Sequence, residues 1–159
     1  MKISVAAALT CLFLIPIAAF AQSPFNGTFC GNGTLTMRIN GHTQTFQGTK
    51  VLTLLTTDTS LESRYDRIYF KDASWMQGQL ISDQIENQKV LINGQDVGSI
   101  SADLISTSVT VSGLQVNTRV QILETGKISF SRRTSGSAGL LLGEEFSQLA
   151  SGPTCVEKP

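Results

Sequence analysis

Apolar and polar residues alternate with a period of two along most of the chain after residue 22, which is the spacing of half-buried β-strands. Residues 34–39 and 42–47 both alternate in this way, and Asn40-Gly41 separates them. Asn-Gly is a strong signal for a two-residue hairpin turn because both residues tolerate positive φ. The turn predicts a hairpin with these opposed pairs: Ile39 with His42, Arg38 with Thr43, Met37 with Gln44, Thr36 with Thr45 and Leu35 with Phe46.

A second Asn-Gly, at Asn93-Gly94, predicts another hairpin, in which Ile92 pairs with Gln95 and Val90 with Val97. Further strand-like runs, rich in β-branched and aromatic residues, occupy residues 50–59, 64–82, 104–116, 119–123 and 127–133. Residues 82–88 are predicted to form a polar loop or one helical turn. Gly48, Gly78 and Gly98 each interrupt a strand-like run, where bulges or bends are expected.

The segment 137–150 has a helical pattern. Leu142, Phe146 and Leu149 stand at positions i, i+4 and i+7, and Gly152-Pro153 follows as a stop signal. We therefore expect a short C-terminal helix after the last strand.

These elements predict an all-β fold: an antiparallel meander of seven to nine strands followed by the short helix. A meander of this size closes into an up-and-down, lipocalin-like barrel or a curved half-barrel, or it forms a two-layer β-sandwich. The glycines inside strands favour the curved forms, because curvature needs positions where the strand can bend.

The segment 25–34, "FNGTFCGNGT", places three glycines ahead of the meander, and the expected helix follows the last strand. This order resembles that of lipocalin-like (calycin) barrels in arrangement. The chain lacks the Trp that those families usually carry near the first strand. The resemblance implies a barrel fold and is used for the fold alone.

Residues 1–21 have the order of a secretory signal peptide: Lys2, an apolar run from Ile3 to Ile17, then small residues ending at Ala21. We expect cleavage there, with residues 22–159 exported as a single β domain, periplasmic or secreted, without a membrane span. Cys30 and Cys155 would then form a head-to-tail disulfide in an oxidising compartment.

Charge argues against two classes of partner. Basic and acidic residues number 12 each, and loss of Lys2 would leave the acidic residues one ahead. Without a basic excess, neither nucleic acid nor an anionic membrane surface is an expected partner.

The sequence offers no convincing catalytic or metal-binding pattern. The single histidine, His42, directly follows a tight turn, where neither an orienting acid nor a cleft is expected. One histidine and two distant cysteines do not supply a zinc site, and we expect no cofactor. Paired carboxylates, Asp66 with Asp72 or Glu144 with Glu145, leave an enzyme as a minor alternative; the second pair is interpreted as a solvated helix face.

The most suggestive patch lies in residues 63–78. In a strand, Tyr65, Arg67, Tyr69 and Lys71 share one face, and Trp75 follows in the next strand. Aromatic planes interleaved with cations suit an amphipathic ligand, a carbohydrate or a protein partner, although such a face also occurs as plain exposed sheet.

Two functions are therefore expected. The first is an exported non-enzymatic binding protein that holds a small apolar or amphipathic ligand inside a β-barrel. The second is a β-sandwich interaction module of the cell envelope, which recognises a protein or carbohydrate through the aromatic and basic strand face. The volume and polarity of the interior separate them, since only the first needs an internal cavity.

Overall fold

The computed structural model describes residues 23–69, 74–76 and 78–151. These residues form eleven strands and one 3₁₀ turn, Ser137–Gly139. The strands are β1 (Gly27–Ile39), β2 (His42–Thr56), β3 (Ser60–Tyr69), β4 (Ser74–Met76), β5 (Ile81–Glu86), β6 (Lys89–Ile92), β7 (Gln95–Ile100), β8 (Leu104–Val111), β9 (Leu114–Ile122), β10 (Ile128–Ser135) and β11 (Leu141–Ser151). The predicted signal peptide and Cys155 lie outside the described residues.

Ten of the eleven described strands pair in a closed antiparallel ring. The ring runs from β1 through β2, β3 and β5 to β11, and β11 pairs with β1 again. The short strand β4 pairs with the end of β3, beyond the part that pairs with β5. The expected all-β barrel is confirmed, and the alternative of a two-layer sandwich is wrong, because no sheet edge separates two layers in the described ring.

Successive strands run in opposite directions, so their connections collect at two ends of the barrel. The upper end carries the turns at 40–41, 93–94 and 112–113, and the lower end carries those at 57–59, 87–88, 101–103 and 123–127.

The first predicted hairpin is confirmed in every pair from Ile39–His42 to Leu35–Phe46. Asn40 and Gly41 have φ of 51° and 79°, the positive values that a type I′ turn needs. The hydroxyl oxygens of Thr36 and Thr45 lie 3.3 Å apart on the outer face. Turn chemistry and alternation therefore specify this register together.

The second hairpin is confirmed in part. Ile92 pairs with Gln95, but Val90 pairs with Gly98 and not with Val97, because the register shifts between Val90 and Leu91. This register shift lies beside Gly98, where a bulge or bend was predicted. A Cβ on Gly98 would collide with the backbone carbonyl of Ser106, so the close approach of β8 requires glycine there.

The other two glycines behave differently from the prediction. The pairing of β2 with β1 is continuous through Gly48, and Gly48 forms the last regular pair with β3, opposite Tyr69, so no bulge forms there. Gly78 lies outside the described strands, and a Cβ on it would collide with the backbone of Tyr65. Gly78 therefore allows the chain to pass close against β3.

The predicted C-terminal helix is wrong. Residues 137–139 form a 3₁₀ turn, and Leu141–Ser151 form β11, which fills the place between β1 and β10. Along β11 the buried residues Glu145, Ser147 and Leu149 alternate with exposed neighbours, a period of two. Pairing on both sides satisfies the backbone of β11 and closes the ring, which outweighs the local helical pattern.

The strand number exceeds the predicted seven to nine because β11 replaces the expected helix and because two turns were not recognised. Ser112-Gly113 separates β8 from β9, with φ of 53° and 78°. Asn87 and Gln88, also at positive φ, separate β5 from β6, so the loop or helical turn predicted for residues 82–88 is wrong. These turns use residues other than Asn-Gly, which made them harder to find.

A hydrophobic core fills the lower part of the barrel. Phe25 precedes β1 and is 1% exposed within this core. Asn26 fixes the entry of the chain: its Oδ1 accepts hydrogen bonds from the backbone N and Oγ1 of Thr56, each at 2.6 Å. The core also contains Phe29, Leu54, Leu61, Ile85, Val90, Ile105, Val120, Ile128 and Leu149. The lower end is thus closed by packed side chains.

Candidate functional site

A cavity of about 500 Å³ lies above this core, inside the barrel. Inward-facing residues of β2, β3, β5, β6, β8, β9 and β10 form its wall. Most of the wall is apolar, and Leu61, Ile105 and Val120 at its floor also belong to the core. The volume falls within the range of small-molecule sites, roughly 300 to 1,000 Å³.

The cavity reaches the surface near the upper end. Ile81 at the start of β5 and Val111 at the end of β8 both line the cavity, yet they are 48% and 55% exposed. Leu80, next to Ile81, is exposed as well. The entrance therefore has an apolar rim, which suits the passage of an apolar molecule.

One side of the cavity carries stacked rings and a cation. The rings of Tyr65 and Phe130 stack with centroids 4.2 Å apart and an angle of 22° between their planes. The Arg132 guanidinium carbon lies 5.5 Å from the Tyr65 centroid and 5.4 Å from the Phe130 centroid. Arg132 Nε also donates a hydrogen bond to Thr118 Oγ1 at 3.4 Å. Arg132 thus brings a positive charge that is already engaged by aromatic faces and a hydroxyl.

A polar spot made of Asp83 and Ser63 lies on the wall of β5 and β3. Asp83 is the register partner of Leu61, and Ser63 is the partner of Ile81, so the two polar residues are diagonal neighbours on the inner face. Both line the cavity and both are half-buried. Burial raises the pKa of the Asp83 carboxyl above its ordinary value, because an ionised group loses hydration there.

A buried ion pair lies in the barrel beside β1. Lys50 Nζ and Glu145 Oε1 are 2.9 Å apart, and both side chains are almost fully buried. Lys50 belongs to β2 and Glu145 to β11, the two neighbours of β1. Gly33 of β1 lies at a level between them, and a Cβ on Gly33 would collide with Ser147. The ion pair therefore joins β2 and β11 across β1, which is a structural role.

The residues predicted from the sequence fall into three groups. Tyr65 is 7% exposed and lines the cavity, so it does not belong to an outer recognition face. Lys71 lies outside the described residues, as do the side chains of Arg67, Tyr69 and Trp75. Cys30 lies in β1 as the register partner of Ala150, while Cys155 lies outside the described residues, so their disulfide stays a prediction.

The carboxylates considered for catalysis do not form a pair. The buried Asp66 accepts hydrogen bonds from Arg64 and from the backbone N of Gly78, and Asp72 lies outside the described residues. Both residues lie in β11, so the predicted helix face is wrong. Glu144 is exposed as expected, whereas Glu145 is buried against Lys50. His42 is exposed beside the hairpin turn, where it was expected.

Sequence reasoning missed Ser63, Asp83 and Arg132. A usable signal was present: Asp83 stands between Ile81 and Ile85 at a spacing of two, and Arg132 follows Ile128 and Phe130 at the same spacing. Alternation therefore placed both charges on the face that carries apolar residues. Only the assignment of that face to the barrel interior gives the pattern its meaning.

No cluster of metal-binding side chains occurs among the described residues. Within the same residues, no helix is long and apolar enough to cross a membrane. The sequence matches no protein-family model and no curated protein.

Proposed function

We propose that this chain is an exported, non-enzymatic binding protein that holds a small apolar or amphipathic molecule in the upper part of its barrel. The observation that carries the proposal is the cavity of about 500 Å³, with a mostly apolar wall and an apolar rim. Burial of an apolar ligand surface there is favourable, at roughly 25 cal/mol for each Å² removed from water.

Cavity size sets the size of the ligand. At roughly 30 Å³ for each non-hydrogen atom, the share of a water molecule in the liquid, the cavity holds on the order of 15 such atoms. This corresponds to a medium-length alkyl chain with a head group, or to a molecule of two or three rings. A long lipid would extend through the rim.

The non-enzymatic part of the proposal rests on how the charged groups are used. Lys50 and Glu145 neutralise each other in the barrel, and Asp66 is held by Arg64. Asp83 and Arg132 line the cavity from β5 and β10, which are well separated in the ring. The Asp83 carboxyl and the Arg132 guanidinium therefore stand on separate walls, an arrangement that suits orientation of a ligand better than proton transfer between the two groups.

Export and the disulfide belong to the same proposal. Residues 1–21 would be removed as a signal peptide, and Cys30 would pair with Cys155. The register of Cys30 with Ala150 supports this pairing, since Ala150 is close to Cys155 in sequence. Intact mass of protein secreted by its own host would show cleavage after Ala21 and the loss of two hydrogens.

A fluorescent probe tests the cavity directly. N-phenyl-1-naphthylamine is apolar, uncharged at neutral pH and brighter out of water, and we expect it to bind the purified mature protein. Val109→Trp places a large ring in the cavity, because Val109 lines it from β8. Thr110→Trp is the matched control, since Thr110 is the exposed next residue.

We expect Val109→Trp to lower probe affinity about tenfold or more, the equivalent of roughly 1.4 kcal/mol, and Thr110→Trp to leave it within about twofold. Circular dichroism would establish that both variants are folded. Equal probe binding by the two variants, or no binding by the wild type, would refute the proposed function. Native mass spectrometry of protein from its own host should in addition show a bound small molecule.

A further inference from the structure

The polar spot of Asp83 and Ser63 bears on which ligand the cavity would take, an inference that rests on the proposed function. Asp83 lies between Ile81, which is at the rim, and Ile85, which is 8% exposed in the core. Its carboxyl therefore stands partway between the entrance and the floor. Its register partner Leu61 is part of that floor.

Among the described residues, neither polar group of this spot has a hydrogen-bond partner in the protein. Within this part of the chain, the Asp83 carboxylate has no hydrogen bond or ion pair, and the Ser63 hydroxyl has no hydrogen bond. Both groups are half-buried on a mostly apolar wall, so each keeps only part of its hydration and can still bind a ligand. The raised pKa of Asp83 reflects the same loss of hydration.

Arg132 differs from Asp83 in this respect. Its guanidinium is engaged by the rings of Tyr65 and Phe130 and by Thr118. An anionic head group would have to enter a cavity that also contains the Asp83 carboxylate. A cationic head group would instead neutralise that carboxylate, and a charge-assisted hydrogen bond is roughly twice as strong as a neutral one.

We propose that the natural ligand is an amphipathic amine, whose protonated nitrogen binds Asp83 and Ser63. The ammonium donates one hydrogen bond to the Asp83 carboxylate and one to the Ser63 hydroxyl. The apolar body of the ligand lies against the remaining wall, which includes Val109 of β8 and Val116 of β9. A primary amine fits best, because it has three donors for two acceptors.

Three probes with the same alkyl chain test the head group: decylamine, decanol and decanoate. Each would compete with N-phenyl-1-naphthylamine for wild-type protein at pH 7, below the concentration at which the competitor forms micelles. We expect decylamine to bind about tenfold or more tightly than decanol and decanoate, the scale of one charge-assisted hydrogen bond.

Three variants assign the preference to the polar spot. Asp83→Asn should remove the advantage of decylamine over decanol, and Ser63→Ala should reduce it. Glu86→Gln is the control for overall charge, because Glu86 is exposed on the same strand, and it should leave the preference unchanged. Decanol should bind all three variants within about twofold of the wild type, as apolar contacts are unaltered.

Several results would overturn the inference. Equal binding of the three competitors would show that the head group is not recognised. Preference for decanoate that is lost in Arg132→Gln would assign an anionic head group instead. Both results leave the proposed function intact, whereas failure of the fluorescent probe to bind the wild type would remove the proposed function itself.

Discussion

Replacing Glu145 with glutamine removes the carboxylate that pairs with the Lys50 ammonium inside the barrel. Lys50 is 0% exposed and Glu145 is 3% exposed, so water cannot readily replace the lost partner. The substitution keeps the size of the side chain, and the Lys50 Nζ–Oε1 hydrogen bond of 2.9 Å would lose its charged acceptor. The change therefore tests charge compensation rather than packing.

The expected loss of stability follows from a general property of buried ion pairs: removing one charge costs much more than removing both. Removing one partner of such a pair typically costs about 3 to 5 kcal/mol, because the remaining charge is desolvated without compensation. Removing both charges costs much less, since no isolated charge is left. We therefore expect Glu145→Gln to lower the free energy of unfolding by about 3 to 5 kcal/mol, and Lys50→Met with Glu145→Gln to lower it by less than that.

Urea unfolding followed by far-ultraviolet circular dichroism measures the effect at neutral pH. For a slope of about 1 to 3 kcal/mol per molar urea, a loss of this size moves the midpoint by more than about 1 M. Glu144→Gln is the matched control on the exposed face of β11, with an expected change within about 0.5 kcal/mol. If Glu145→Gln behaved like Glu144→Gln, the reasoning about charge compensation would be refuted.

Four further substitutions test other parts of the structure. Gly33→Ala should destabilise the barrel by more than about 1 kcal/mol, since the added Cβ would collide with β11. Gly143→Ala is the control and should cost less, because a Cβ there meets only ordinary contacts. Equal midpoints of urea unfolding for the two variants would contradict this reasoning. His42→Gln should leave probe binding intact and cost under about 1 kcal/mol, because His42 is exposed; selective loss of binding would give the histidine a role. Asp83→Asn should be more stable than the wild type at pH 7, because burial raises the pKa of Asp83 and its ionisation therefore destabilises the folded protein as the pH rises. The gain should disappear as the pH falls below 3.8, where the carboxyl is protonated in both the folded and the unfolded protein. A stability difference that does not change with pH would exclude this cause. If a Cys30–Cys155 disulfide closes a loop of about 125 residues in the wild type, Cys155→Ser should lower the midpoint of thermal unfolding by the equivalent of roughly 4 to 5 kcal/mol of stability. Added reductant should then lower the midpoint of the wild type and leave that of the variant unchanged.

Local sequence signals predicted the elements that depend on neighbouring residues. Asn40-Gly41 and the alternation beside it specified the first hairpin, including each opposed pair, because a two-residue turn at positive φ leaves one register. The same reasoning gave Ile92 opposite Gln95 and failed two residues further along, at Val90, which pairs with Gly98 and not with Val97. A bulge depends on what the neighbouring strand requires, and the hairpin sequence does not contain that information.

The candidate site could be predicted only in part. Period-two alternation placed Tyr65 on one strand face with Arg67, Tyr69 and Lys71, whereas Asp83 was missed because residues 82–88 were predicted to form a loop or a helical turn. Alternation could not show that this face and that of Phe130 point into one cavity, because β3 and β10, which contribute Tyr65 and Phe130, are far apart in sequence. Their ring contact at 4.2 Å exists only after the barrel closes.

By itself the sequence determined the all-β class, the antiparallel order and the tight Asn-Gly turns, since these follow from backbone preferences and from contacts between neighbours in the chain. Closure of the strands into a ring decided the last element and the interior site. The segment 141–151 has a helical spacing of apolar residues, yet it becomes β11 because it pairs with β1 and β10 on both sides. Closure also made one face of every strand the interior, which buried Lys50 with Glu145 and placed Asp83 on the wall of a cavity. Such pairings join residues distant in sequence, and their free energy is gained only when the whole ring forms.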